Sequence, residues 1–439
     1  MSVSFRALSA RLAWILVPLL AIGAIAGCTL ESGGYNTTSP PKIRMFNAAI
    51  DIGAVDLTLG TVVTLGAFGY EQFAPYRTSA TGQQPVILTL SGTSTVLTQT
   101  TQDFQNGDRF SYILYGRPAA PQTILLRDNI ELPGGGNYKL RLINAANEKG
   151  PLDLWVTSPG ASIDFNTAPA ISNVALGGAS DFVELNSGNV EVRLTPHGSQ
   201  TVIYDSGQVT LSERNAYAVI AYSRGDANLV NAGIFTMDTL GSGQLINSTQ
   251  SDVRLVNGIA NVGPIDLSVA GNAAIGSIAY AQASPYQGGL PGSQTISIAA
   301  TSNPSTALLS GTQTFPAGGA NTVVAFRNAG NVVALTLSDI NFQPQTPGNA
   351  RVRVVNASSD VGSVNTLING SLAVGTLPAG ATSLYFELPP TTYTFTFVNP
   401  TTSATLLDVP GVTLAANHTY TLFLIGPPGQ LTTLLTQDS

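Results

Sequence analysis

The sequence predicts an all-β chain of four tandem Ig-like β-sandwich domains after an N-terminal signal helix. Three observations carry this reading. A thirteen-residue frame opening on Arg and closing on Asp or Asn recurs four times, about a hundred residues apart. Short alternating runs rich in Thr, Val, Ile and Tyr lie between Gly, Pro and Asn turns, the spacing of sandwich strands. Beyond the N-terminus no segment sustains helical periodicity. With 439 residues, 44% hydrophobic and 10% charged, the chain has ample material for cores and too little charge for a disordered polymer. A net charge of −7 argues against a nucleic-acid partner that needs many phosphate contacts.

Residues 1–27 read as an export signal. Arg6 and Arg11 form a positive n-region, Leu12 to Ala24 an apolar stretch, and Ile25-Ala26-Gly27 leads to Cys28. The run is short for a membrane-spanning helix of about 20 residues. The motif resembles the lipobox of bacterial lipoproteins. That resemblance implies acylation of Cys28, with palmitate among the expected chains, and anchoring in a lipid bilayer. Several acyl chains would make the attachment stable. Thr29, where Asp often signals inner-membrane retention, implies the outer membrane, on its periplasmic or cell-surface face. Residues 28–41 read as a Gly/Ser/Thr/Pro-rich tether.

The four units are assigned to 42–133, 137–246, 251–345 and 349–439, hereafter repeats 1 to 4. The frame is Arg44, Asn47, Asp56 in the first and Arg141, Asn144, Asp153 in the second. It is Arg254, Asn257, Asp266 in the third and Arg353, Asn356, Asn365 in the fourth. A Gly precedes the closing residue each time: Gly53, Gly150, Gly263 and Gly362. Each unit ends in a β run, at 109–115, 216–222, 321–326 and 419–425, followed by a further strand. In repeat 4, Arg351–Val355, Val364–Ile368, Ser383–Leu388, Thr392–Val398 and Leu406–Val409 read as strands. Asn369-Gly370 is a two-residue hairpin turn, and Pro389-Pro390 and Pro410-Gly411 read as further breaks. A unit of this size buries a core of its own.

The frame Arg351-Val-Arg-Val-Val-Asn-Ala-Ser-Ser-Asp360, the Asn369-Gly370 turn and the closing Ala415-Ala416-Asn417-His418-Thr419-Tyr420-Thr421 are similar to the bacterial domain-of-unknown-function 4397 family. The resemblance is fullest in repeat 4; repeat 3 lacks the closing tyrosine, with Thr322-Val323-Val324 in its place. It implies secreted, surface-associated β-domains and no particular activity.

Candidate chemistry is sparse. Cys28 is the one cysteine, so a multi-thiolate zinc site is impossible. His197 and His418 lie in separate stretches, and lysine is limited to Lys42, Lys139 and Lys149. No nucleophile elbow, phosphate loop or dinucleotide fingerprint occurs. Asn47, Asp51 and Asp56 are hard oxygen donors that could hold calcium, with Glu148, Asn261, Asp360 and Asn365 at related places. The alternative is that Asn caps a turn and Asp fixes the next strand. The repeated Arg is either a ligand contact, a solvent-facing side chain, or the partner of an acid in its own domain. Paired carboxylates and a Ser/His/Asp set using either histidine stay open, and Trp155 with the 14 Tyr offers little for a glycan platform. The expectation is a non-enzymatic, lipid-anchored envelope protein acting as a spacer, scaffold or adhesion module, with no cofactor and no metal. A surface protein that binds a glycan or peptide is the alternative.

Overall fold

The computed structural model describes residues 38–50, 52–118, 120–223, 229–238, 240–339, 344, 346 and 348–438. The signal, Cys28, most of the tether and Asp51 lie outside the described residues.

Repeat 1 holds β1 (Lys42–Asn47), β2 (Val55–Leu59), β3 (Val62–Phe68), β4 (Phe73–Thr78), β5 (Gly82–Leu90), β6 (Val96–Phe104), β7 (Arg109–Arg117) and β8 (Ala120–Arg127). Repeat 2 holds β9 (Asn137–Ala145), β10 (Leu152–Thr157), β11 (Ile171–Val174), β12 (Val183–Asn186), β13 (Gly188–Pro196), β14 (Tyr204–Leu211), β15 (Ala216–Ser223), β16 (Val230–Thr236) and β17 (Gly243–Ile246). Repeat 3 holds β18 (Ser251–Asn257), β19 (Ile265–Val269), β20 (Asn272–Ile278), β21 (Gln287–Gly289), β22 (Gly292–Ala300), β23 (Asn303–Phe315), β24 (Ala320–Asn328) and β25 (Asn331–Asp339). Repeat 4 holds β26 (Ala350–Ser358), β27 (Val364–Ile368), β28 (Ser371–Leu377), β29 (Phe386–Leu388), β30 (Thr392–Val398), β31 (Thr405–Thr413), β32 (Thr419–Gly426) and β33 (Thr432–Gln437).

The same two sheets are built four times. One has the order β4-β1-β7-β8, and its counterparts are β12-β9-β15-β16-β17, β21-β18-β24-β25 and β29-β26-β32-β33. The other has the order β3-β2-β5-β6, with counterparts β11-β10-β13-β14, β20-β19-β22-β23 and β28-β27-β30-β31. The first strand of every repeat runs parallel to the seventh, as in β1 with β7 and β26 with β32. All other pairs described are antiparallel.

The burial patterns explain the packing. β2 and β27 alternate buried and half-buried residues, so only one face meets the core. β15 and β32 are buried along their whole length, as is β7 between its end residues, so these strands are covered on both faces. One face meets the core of its own sandwich, for example Val352, Val354, Phe395, Phe397 and Leu422 in repeat 4. The other face meets the neighbouring repeat. Phe46, Ile113, Ile143, Ile220, Tyr222 and Phe235 form one such interface, between repeats 1 and 2. Val256, Val324, Phe326, Val355, Phe423 and Ile425 form another, between repeats 3 and 4. The sandwiches are therefore packed face to face in two pairs.

Two details differ from the sequence reading. Pro410-Gly411 does not break the chain; it lies inside β31, an edge strand, where a missing N–H is tolerated and Gly411 takes φ +79° beside a register shift. The Ser383–Leu388 run contributes only its last three residues as strand, β29.

Candidate functional site

The repeated frame builds the molecule at three levels. Its Asn ties the first turn of each sandwich to the third strand. Asn356 is fully buried, donates through Nδ2 to the Gly362 and Leu377 carbonyls, both at 2.9 Å, and accepts from the Ser358 N–H. Asn144 does the same with Gly150, Val174 and Ala146, and Asn257 with Gly263, Ile278 and Ile259. Asn47 bonds Phe68 and Ala49. One side chain thus satisfies backbone groups of both the turn and the third strand.

The closing Asp or Asn pins a β-bulge. Asp56, Asp153, Asp266 and Asn365 sit where the second and third strands shift register. Each accepts the N–H of the bulged residue: Ala67, Asn173 and Ser277 at 2.7 Å and Thr376 at 2.6 Å. Those four residues all have positive φ, which a side-chain acceptor helps to hold. The remaining calcium candidates Glu148, Asn261 and Asp360 occupy positive-φ positions in the first turn. Glu148 is also paired with Arg117 at 3.2 Å. Among the described residues no group of three or more His, Cys, Asp or Glu is placed to hold a metal ion.

The repeated Arg corrects the solvent-facing expectation. All four are buried, and they meet between the paired repeats. In the second pair, Arg254 donates to Thr322 Oγ1 at 2.6 Å and to Asp438, while Arg353 donates to Thr421 Oγ1 at 2.8 Å and to Asp339. Each Arg thus reaches a carboxylate of the other repeat. Thr322 and Tyr286 donate to Asp339, and Thr421 and Tyr385 donate to Asp438. Arg254 lies over the Tyr286 ring and Arg353 over the Tyr385 ring, at 4.7 and 4.8 Å. The two halves repeat each other group for group, with two cations facing two anions. Burial alone would lower the Arg254 pKa, but Asp339 and Asp438 hold it above the ordinary guanidinium value. Burial pushes Asp339 up, against the pull of Arg254.

The first pair has only half of this device. Arg44 donates to Ser111 Oγ at 2.8 Å, and Ser111 and Tyr76 donate to Asp128 at 2.6 and 2.7 Å. Arg141 reaches across to the same Asp128 at 2.9 Å. On the repeat 2 side, Ala218 is paired with Arg141 where Thr322 and Thr421 face their arginines. Phe182 lies under Arg141, 4.8 Å away, where the other repeats have Tyr. Met237 takes the place of the carboxylate, its sulfur 3.0 Å from Arg44 Nη2. Two guanidiniums share one carboxylate, and Arg141 Nε has no hydrogen-bond partner among the described residues. Burial accordingly lowers the Arg141 pKa, with Asp128 only partly opposing it. Aromatic packing supplements this interface: Phe73 stacks on Phe46 at 4.2 Å between centroids. Gly233 and Gly243 make room for Phe73, since a Cβ there would come within 2.5 and 2.3 Å of its ring. Glu71 of repeat 1 also accepts from Tyr222 and Asn231 of repeat 2.

The Ser/Thr, Tyr and Asp partners lie outside the repeated thirteen-residue frame. A signal existed: Ser111 and Asp128, Thr322 and Asp339, and Thr421 and Asp438 are each 17 positions apart. The structure also joins two residues that the sequence kept separate. His197 Nδ1 lies 2.9 Å from Asp153 Oδ1, which also accepts from Ser172 Oγ at 3.1 Å. Burial raises the Asp153 carboxyl, but hydrogen bonds from the Asn173 N–H, His197, the Gly198 N–H and Ser172 hold it below the usual range. This serine donates to the carboxylate, so the three groups are not ordered as nucleophile, base and orienter. His418 lies 6.2 Å from the Tyr420 ring, edge-on. Trp155 is buried, donates to Thr195 Oγ1 and packs against Phe165.

Among solved structures, the chain is similar to a family 41 carbohydrate-binding module from a streptococcal virulence factor, with 9% identity over 41% of this chain and 93% of that one and a TM-score of 0.18. It is similar to a family 26 module of Eubacterium rectale, with 12% identity over 42% and 91% and a TM-score of 0.16. It is also similar to the Bacillus anthracis TIE protein, with 11% identity over 86% and 68% and a TM-score of 0.16. These likenesses assign no ligand to the chain. No curated protein matches it in sequence. The family described as "Domain of unknown function (DUF4397)" matches residues 41–155, 251–367 and 351–439, and leaves out most of repeat 2, the copy that lacks the Thr, Tyr and Asp partners. The matched stretches span more than half of the sequence, and the chain belongs to the DUF4397 family as a tandem array of its domains.

Proposed function

We propose that this is a non-enzymatic, lipid-anchored cell-envelope protein whose interlocked sandwich pairs serve as a spacer or adhesion-type module. One observation carries the reading. The polar side chains that recur in every copy are engaged in building the array: Asn ties a turn, Asp or Asn holds a bulge, and Arg clasps two repeats. What is repeated four times thus builds each sandwich and, through its Arg, joins it to a neighbour. The Cys28 lipobox supplies the attachment and Thr29 the outer-membrane address, both read from sequence.

Cell fractionation of wild type and Cys28→Ala, with labelling by a palmitate analogue, tests the anchor. Wild type is expected in the membrane fraction and labelled, and the variant soluble and unlabelled. Continued tight membrane attachment of the variant would overturn the anchoring. Protease shaving of intact cells then separates an adhesion role, with the domains cleaved, from a periplasmic spacer role, with the domains protected until the outer membrane is opened.

A further inference from the structure

We infer that the junction between repeats 2 and 3 is a ligand site for a small neutral polyol of sugar size, which goes beyond the spacer and adhesion reading. The two other repeat junctions are packed with apolar and aromatic side chains. This one leaves a cavity of about 350 Å³, within the range of small-molecule sites and at the kind of place, between domains, where such sites form. Pro196, Ile203 and Leu229 supply an apolar wall, and Thr201, Gln287 and Asp252 supply a hydroxyl, an amide and a carboxylate.

The cavity is preformed because hydrogen bonds from backbone N–H groups, one of them to the Asp252 carboxylate, fix the junction. The Leu229 N–H donates to Asp252 Oδ2 at 2.9 Å, the Thr249 N–H to the Asp205 carbonyl at 2.7 Å, and the Gly318 N–H to the Gln250 carbonyl at 2.6 Å. One wall is the loop between β13 and β14. It is pinned from its other side by the His197–Asp153 contact, by the Gly198 N–H on Asp153 Oδ2, and by the His197 N–H on the Pro151 carbonyl. His197, half exposed and peculiar to repeat 2, thereby acquires a role as a positioning residue for the cavity wall. The charged groups of the lining are already engaged: Glu148 pairs with Arg117, Lys149 has its own partner, and Asp252 accepts the Leu229 N–H. That leaves hydrogen-bonding groups beside a short apolar surface. Such a lining meets the hydroxyls and the C–H face of a sugar better than an ionic ligand.

The test uses the full chain in detergent and a panel of glucose, galactose, mannose, N-acetylglucosamine and the α- and β-linked disaccharides of glucose. Binding is read by saturation-transfer NMR and calorimetry. At least one sugar is expected to bind saturably. Thr201→Trp, which fills the cavity from an exposed position, is expected to weaken that binding at least tenfold. Gln287→Ala is expected to weaken it without altering the fold. Thr100→Trp, on an exposed strand of repeat 1, is expected to leave it unchanged. Absence of binding across the panel, binding that Thr201→Trp does not alter, or binding of peptides in place of sugars would each overturn the inference.

Discussion

The two sandwich pairs solve one problem in different ways. Repeats 3 and 4 bury two arginines and two aspartates in a duplicated arrangement, wrapped by aliphatic side chains such as Val256, Val355 and Ile425. Repeats 1 and 2 bury two arginines and one aspartate, and Phe46, Phe73, Tyr222 and Phe235 pack around them. In repeat 2 the Thr, Tyr and Asp positions are all three occupied by other residues, Ala218, Phe182 and Met237. A buried charge without its partner is expensive, so the hydroxyl donors have no use once the carboxylate they served is absent. The comparison indicates that the cluster acts as a unit, while the apolar surround can carry an interface in which the unit is incomplete.

The largest expected effect comes from breaking the complete cluster. Arg353→Ala leaves Asp339 and Asp438 with one arginine between them and should destabilise repeats 3 and 4 by about 3–5 kcal/mol. Urea unfolding measures it; a loss under about 1 kcal/mol would mean that the buried charges do not hold the pair. Asn356→Ala removes the tie between the first turn and β28 and strands two carbonyls and one N–H. It should destabilise repeat 4 by about 1–3 kcal/mol in the same measurement.

The comparison is sharpened by rebuilding the missing half. The triple substitution Phe182→Tyr, Ala218→Thr and Met237→Asp gives Arg44 its second carboxylate. It should leave stability unchanged or raise it by up to about 1 kcal/mol. A clear loss would show that the two interfaces do not share one geometry.

Repeat 2 also carries an acid-sensitive contribution that can be read separately. The Asp153 carboxyl is held below its usual range, and so is Asp205, where burial is outweighed by bonds from Arg193 and the Gly207 N–H. A depressed carboxylate stabilises the fold above its unfolded value of about 3.9, and this stability is lost as pH falls through the folded value. Trp155 lies in the same sheet as Asp153 and reports on it by fluorescence. The acid transition seen by Trp155 should be flatter in Asp153→Asn.

Much of the architecture was legible in the sequence because it rests on local rules. The Asn369-Gly370 turn, the Val364–Ile368 and Thr392–Val398 strands and the fourfold frame follow from turn chemistry and alternation. The turn capped by Asn follows the same kind of short-range bonding, whereas its bond to the third strand and the bulge held by Asp or Asn bridge 11 to 30 positions and were not legible. The face-to-face pairing was not legible. The runs at 216–222 and 419–425 read as strands, but nothing in them said that β15 and β32 are covered on both faces. The meaning of the repeated Arg depended on that second face. Its carboxylate lies on a different strand and, in Arg353, in a different repeat, so no local pattern around the arginine announces it. The junction cavity was equally hidden, since loops of repeat 2 and strands β18 and β21 of repeat 3 line it together.

The claim that arginine clasps join the repeats is tested most directly by a double-mutant cycle between Arg353 of repeat 4 and Asp339 of repeat 3, each changed to Leu singly and together. The structure predicts strong coupling, about 1.5 kcal/mol or more, because each single change strands a buried charge that the double change removes. Additivity within about 0.5 kcal/mol would contradict it and leave the apolar faces alone to hold the pair.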